Sequence, residues 1–247
     1  MKEITVNISR RHFFEKSATA VAGLSIAPGV FLTQVAQAKP AEQAVTADKR
    51  WGMLIDTGKC ASGCTSCVDA CHEENGVTSN GRPETDAQWI RKVKLRDKAT
   101  NHVISLPMMC QHCETAPCVD VCPTGASFKR VDGIVLVDKH ICIGCRYCMM
   151  ACPYKARSFI HETITDQVEY APRGKGTVES CTMCVQRVDV GGTPACVEAC
   201  NKAEHGAMIF GDLKDPNSAI SQELEKHGGK QIRADLKLNT GVRYQGI

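Results

Sequence analysis

The sixteen cysteines of this chain stand in four groups of four: Cys60, Cys64, Cys67 and Cys71; Cys110, Cys113, Cys118 and Cys122; Cys142, Cys145, Cys148 and Cys152; and Cys181, Cys184, Cys196 and Cys200. Thiolates spaced this way hold iron–sulfur cubes. Each cube takes four, so sixteen thiolates suffice for four 4Fe–4S clusters and a one-electron chemistry. The third group is the most specific, because CIGCRYCMMACP is a C-x2-C-x2-C-x3-C-P run. Three cysteines in such a loop reach three irons of one cube, and the fourth, on the helix that follows, turns to the other cube of a pair. Two groups therefore build one two-cluster module.

This logic gives a ligand map. In an inner pair, Cys110, Cys113 and Cys118 share a cube with Cys152, and Cys142, Cys145 and Cys148 share one with Cys122. In an outer pair built alike, Cys60, Cys64 and Cys67 take Cys200, and Cys181, Cys184 and Cys196 take Cys71. The outer groups depart from the pattern. The first opens C-x3-C, and the fourth is stretched to C-x2-C-x11-C-x3-C and followed by Asn201 instead of proline. If only three clusters are present, or one is a smaller form, the altered site is expected to be an outer one.

Two other chemistries compete for cysteines in even numbers. Disulfides are disfavoured within steps of two to four residues by bond geometry, and zinc sites use two separated pairs, not four in a row before a proline. His72, His112 and His140 stand beside or near cluster ligands, and His205 follows the fourth group. A Rieske arrangement would replace cysteines with histidines, whereas all sixteen cysteines are present, so these histidines are read as solvated or supporting. No catalytic triad, Walker or dinucleotide signature occurs, and no catalytic residue is assigned.

The elements that must carry these loops are short. Arg50–Asp56 reads as a strand leading into the first group. Residues 72–109 form a cluster-free insertion with strands at Trp89–Leu95 and Val103–Met108. Phe128–Asp138 reads as a hairpin turning at Asp132-Gly133, and 170–180 as a Gly- and Lys-rich loop. A final helix is expected from Asp215, with Pro216 in its first turn, to Gly228-Gly229. The tail from Lys230 shows no period. The class is α+β, with an inner module at about 105–160 and an outer one drawn from about 50–75 and 176–212. Aromatics make up only 5% of the chain, so the clusters are expected to act as cross-links without which the protein does not fold.

Residues 1–38 read as an export leader, not as fold. Ser9–Phe14 carries the paired Arg10 and Arg11 of a twin-arginine signal, followed by an uncharged stretch from Ser17 to Ala38 that ends Ala36-Gln37-Ala38. Pro28, Gly23 and Gly29 interrupt that stretch, and its most apolar part is shorter than the ~20 residues of a membrane span. Twin-arginine export moves proteins already folded, which reconciles reduced thiolates with an oxidising compartment. The leader holds four of the 30 Lys/Arg and two of the 27 Asp/Glu, leaving residues 39–247 at a formal +1. Four oxidised cubes at about −2 each reverse that sign. Nothing in the sequence resembles a basic stripe or aromatic platform, so no nucleic-acid partner is expected.

With these features assembled, residues 39–247 resemble the four-cluster ferredoxin-like subunits of membrane-associated respiratory reductases. That group serves dimethyl sulfoxide, polysulfide and tetrathionate reductases and formate-dependent nitrite reduction. Within it the chain is similar to the DsrO subfamily of DsrMKJOP complexes of dissimilatory sulfur metabolism. The resemblance rests on RWGMLID, AQWIRKVKL, CQHCETAPCVDVCPTGASFKRVDGIVLVDKHICIGCRYCMMACPYKARSF, PRGKGTVESC and FGDLKDPNSAIS. It implies two interleaved bacterial-ferredoxin-like modules. It also implies a periplasmic relay between a multi-helix quinone-interacting membrane subunit and a multihaem cytochrome c, held at the membrane only through partners. The main rival function is service to a catalytic molybdenum subunit of a polysulfide, tetrathionate or nitrite-linked reductase; a freely diffusing ferredoxin and a purely structural metal-stapled module are the other two.

Overall fold

In a computed structural model of the protein, the structure describes residues 44–165, 167–203 and 205–247. The leader at 1–38 lies outside them. Residues 45–247 form one compact unit, and its centre is a strand, β1 (Trp51–Asp56), whose Met53, Leu54 and Ile55 are all at most 1% exposed. Burial on both faces is what a strand with neighbours on each side requires. Those neighbours come from the other end of the chain. β8 (Met208–Asp212) runs antiparallel to β1, Trp51 facing Asp212, and β9 (Val242–Gln245) runs parallel on the other edge, Met53 facing Val242.

Three two-stranded sheets complete the β content. β2 (Ile90–Arg96) and β3 (Val103–Met109) pair with Ile90 opposite Met109. β4 (Ser127–Lys129) and β5 (Val135–Val137) form a hairpin whose turn places Gly133 at φ 90°, a value that glycine adopts without penalty. β6 (Ser158–Phe159) pairs with β7 (Val178–Glu179). The helices are α1 (Ser66–Glu74), α2 (Pro117–Asp120), α3 (Tyr147–Ala151), α4 (Val185–Val188), α5 (Ala195–Lys202) and α6 (Ala219–His227). Most are too short to be stable alone and depend on what they pack against. Among the described residues, no helix is long and apolar enough to cross a membrane.

The final helix begins later than the sequence suggests. Asp215 is spent on a turn, where its carboxylate accepts from the Asn217 N–H at 2.8 Å. Ser218 is the N-cap, its hydroxyl accepting from the Ser221 N–H and donating to the Asp212 carbonyl at 2.7 Å. The other end agrees with the sequence, at Gly228. The tail, which shows no period, holds a 3-10 turn at Ala234–Leu236 and then β9, whose Val242 and Tyr244 are fully buried. Four residues are too few to display an alternation; their partner β1 decides their conformation. The Tyr244 hydroxyl donates to the Pro107 carbonyl at 3.2 Å and accepts from the Gln111 amide at 3.1 Å. The C-terminal strand is thereby fastened to the second cysteine loop.

Candidate metal centres

One local conformation recurs in all four cysteine loops. The residue immediately before the second cysteine is left-handed each time: Gly63 at φ 86°, His112 at 44°, Gly144 at 69° and Met183 at 56°. Such a residue reverses the chain within one step, so flanking cysteines and their N–H groups can face a common hollow. The extra residue in Cys60–Cys64 is absorbed without losing this feature. Glycine is obligatory at only one of the two sites that use it. A β-carbon on Gly144 would collide with the Gly176 carbonyl oxygen, whereas the space around Gly63 is open. Gly144→Ala is therefore expected to abolish the cluster of the third group, measured as lost iron. Gly63→Ala should cost only the left-handed strain of about 1–2 kcal/mol and retain its iron.

The helices bring the groups together in a crossed fashion. Cys67 and Cys71 sit on α1, Cys118 on α2 with Cys122 just beyond it, Cys148 on α3 with Cys152 at its C-cap, and Cys196 and Cys200 on α5. α1 packs on α5 and α2 on α3. The electrostatic neighbours follow from that packing. Cys67 has Cys60, Cys200 and Cys64; Cys71 has Cys181, Cys196 and Cys184; Cys113 has Cys118 and Cys152. Cys148 has Cys118 and Cys142. Cys110, beside Cys118, also has Cys181 of the fourth group among its neighbours. Cys122, half-buried, is flanked by the Ser127 N–H at 3.3 Å and the Thr124 hydroxyl at 3.7 Å. Cys145 is exposed, amid exposed Ile143, Tyr147 and Met150.

All sixteen cysteines are unbridged, and several are deeply buried. Burial pushes the Cys67 thiol up to about 11 and those of Cys113 and Cys181 up to about 12, and it holds Cys71, Cys110 and Cys196 well above the usual thiol range. A buried thiolate needs a cation beside it, which iron supplies while displacing the proton. Donors already point at the sulfurs. The N–H groups of Ala156, Val178 and Met183 reach Cys152, Cys142 and Cys181 at 3.5, 3.5 and 3.3 Å. Lys92 Nζ reaches Cys60 at 2.8 Å, and Arg157 Nη2 reaches Cys118 at 3.1 Å. Asn75, 1% exposed, holds the Cys71 carbonyl at 2.8 Å and faces its sulfur at 3.8 Å.

The strongest sign that the hollows suit a sulfur-rich group is a set of orphaned donors. His112 is buried; desolvation, with Arg157 beside it, holds its imidazole down at about 3, so the ring is neutral. Val135 donates to Nδ1 at 3.0 Å, which puts the ring proton on Nε2. That Nε2–H is buried without a partner among the described residues, as are Arg157 Nε and Nη1. Cluster sulfides would satisfy them. Among the described residues, no three His, Cys, Asp or Glu side chains converge on a single ion. A cube presents a different iron to each thiolate, so its ligands do not need to converge.

Lys92, Asn75 and Arg157 carried no signal in the sequence. Lys92 comes from the cluster-free insertion, and the other two follow a fourth cysteine by four and five residues. Of the histidines, His112 is buried, His72 and His205 are half-buried and His140 is exposed.

Two family models, both described as 4Fe-4S dicluster domain, match residues 101–213 and 59–126. The Hdr-like menaquinol oxidoreductase iron-sulfur subunit 1 of Archaeoglobus fulgidus is 40% identical, covering 96% of this chain and 97% of that one. A tetrathionate reductase subunit of Salmonella typhimurium is 38% identical over 99% of this chain and 90% of its own. Protein NrfC of Escherichia coli is 41% identical over 72% of each.

Proposed function

The chain belongs to the family of 4Fe–4S electron-transfer subunits of oxidoreductase complexes, and from that premise we propose that it relays electrons singly between a quinone-interacting membrane subunit and a periplasmic multihaem cytochrome c. Several 4Fe–4S clusters come with the family; our reading is that there are four, held as the crossed map assigns them. The observation that supports this is the packing of α1 on α5 and of α2 on α3, with Cys71 beside Cys181, Cys184 and Cys196, Cys200 beside Cys60, Cys64 and Cys67, and Cys152 beside Cys113 and Cys118. A cube supplies a one-electron couple anywhere from about −700 to +450 mV, set by charge, hydrogen bonds and exposure. This chain's part is to hold the cubes by thiolates, to aim N–H donors at the sulfurs, and to bury most of the sulfurs, with Cys145 the exposed one. The surface around exposed Cys145 suits the passing of electrons to a partner.

In this reading residues 1–38, through Arg10 and Arg11, send the folded protein by the twin-arginine route to the periplasm, where 39–247 dock on the membrane subunit. A relative that is an iron–sulfur subunit of a menaquinol oxidoreductase supports a quinone-linked complex, and we assign it to the DsrMKJOP type. The second reading, service to a molybdenum-containing polysulfide, tetrathionate or nitrite-linked reductase, draws on the likeness to the tetrathionate reductase subunit. Proteins that co-purify from the native membrane decide between them: haem c in the complex supports the first, molybdenum the second. Anaerobically purified protein is expected to contain about sixteen iron and sixteen sulfide per chain. About twelve would remove an outer site, and eight or fewer would sink the four-cluster reading.

A further inference from the structure

Three buried or half-buried arginines make a telling comparison. Arg173 is 5% exposed and forks onto Glu179, whose carboxylate is fully buried. Arg130 forks onto Asp132 and Asp189. Arg157 is equally buried at 5%, yet the groups that favour its charge are Cys118, Cys110 and Cys148, not carboxylates. Its Nη2 donates to Cys118 Sγ at 3.1 Å and to Ser127 Oγ at 2.8 Å, while Nε and Nη1 are left with buried hydrogens and no acceptor. Burying a guanidinium is tolerated only where a counter-charge and acceptors meet it. Here the charge partners that the chain supplies are cysteine sulfurs, with the neutral Ser127 hydroxyl beside them.

Resting on the crossed ligand map, in which Cys118 and Cys148 serve different inner cubes, we infer that Arg157 is a single positive charge shared by both inner clusters, raising the reduction potential of each. Reduction adds a negative charge to a cube, and a fixed cation beside it stabilises the reduced form more than the oxidised one. Because the guanidinium stays protonated throughout the accessible pH range, the effect is independent of pH and moves no proton with the electron. Because it is shared, it moves two couples together. Its planar fork suits two acceptors on opposite sides in a way a point charge does not. Lys92, against Cys60, is the outer counterpart but serves one cube only.

The test is an EPR-monitored redox titration of the anaerobic holoprotein at several pH values, with iron counted in each sample. Arg157→Gln is expected to lower two midpoints, each by at least tenfold in the reduction equilibrium, which is about 59 mV for a one-electron couple, by the same amount at every pH. Lys92→Met is expected to lower a single, different midpoint. Arg157→Lys keeps the charge but cannot span both thiolates, so one inner midpoint should hold and the other fall; this variant also serves should the glutamine form fail to assemble. A full iron complement with unmoved midpoints in Arg157→Lys and Arg157→Gln overturns the inference while leaving the four-cluster relay standing. A shift in Lys92→Met of the same two midpoints overturns it too. An iron content of eight in the unsubstituted protein defeats the four-cluster reading itself.

Discussion

Cys152→Ser is expected to destroy or convert the cluster of Cys110, Cys113 and Cys118 while sparing the one held by Cys142, Cys145 and Cys148, its own neighbours in sequence. The geometry behind this is specific. Cys152 is an electrostatic neighbour of Cys113 and Cys118, and Tyr154 lies beside Cys113 and Cys152 together. Serine is nearly isosteric but a poor iron ligand, so the local fold should persist around a vacated corner. Iron should fall from about sixteen to about fifteen if a three-iron form survives, or to about twelve if the cube is lost. Spectra of this variant against Cys122→Ser separate the two inner signals. Loss confined to the cluster of Cys142 would mean that each group closes on itself, and the crossed arrangement would be wrong.

Removal of iron by a chelator should abolish the cooperative thermal transition altogether. α2 and α3 span four and five residues, far below the length at which a helix persists unaided. The cysteine loops hold non-glycine residues in left-handed conformations at His112, Arg146, Met183 and Cys184, each strained by about 1–2 kcal/mol. Metal ligation is what holds them, since no disulfide links any of the sixteen cysteines. Circular dichroism and limited proteolysis of the stripped protein provide the measurement. An apoprotein that melts sharply within a few degrees of the loaded form would show that the apolar core suffices without metal.

How much of this could be read from the residues varies with the range of the interaction. The strands at 51–56, 90–96 and 103–109 and the hairpin at Asp132-Gly133 were legible because turn chemistry and alternating apolar residues are local signals. The cysteine spacing carried the chemistry for the same reason: a loop around a cube is a short-range object. β9 was not legible, since Val242 and Tyr244 owe their place to β1, nearly the whole chain away. Arg157 was missed for a related reason. An arginine in a sequence reads as a solvated charge, and only the packing of α2 against α3 turns it into a buried cation among sulfurs. The start of α6 was misplaced because Asp215 and Ser218 are both good caps, and the Asp212 carbonyl selects the second.

The central sheet also dictates an order of events on the ribosome. β1 is made well before its partners β8 and β9, and α1 well before the α5 it packs on. The segment from 105 to 160 holds two cysteine groups whose helices pack on each other, so it can acquire iron while the remainder is still being translated. At about 5–20 residues per second, the interval between residue 160 and residue 247 is roughly 4 to 17 s. Until residue 200 is made, the thiols of the first group wait without their counterparts in the fourth. A chain that stops short of Ala195 thus has its middle built while α1 and β1 are unmatched, and one that stops between Asp212 and Val242 leaves bare only the edge of β1 that β9 covers.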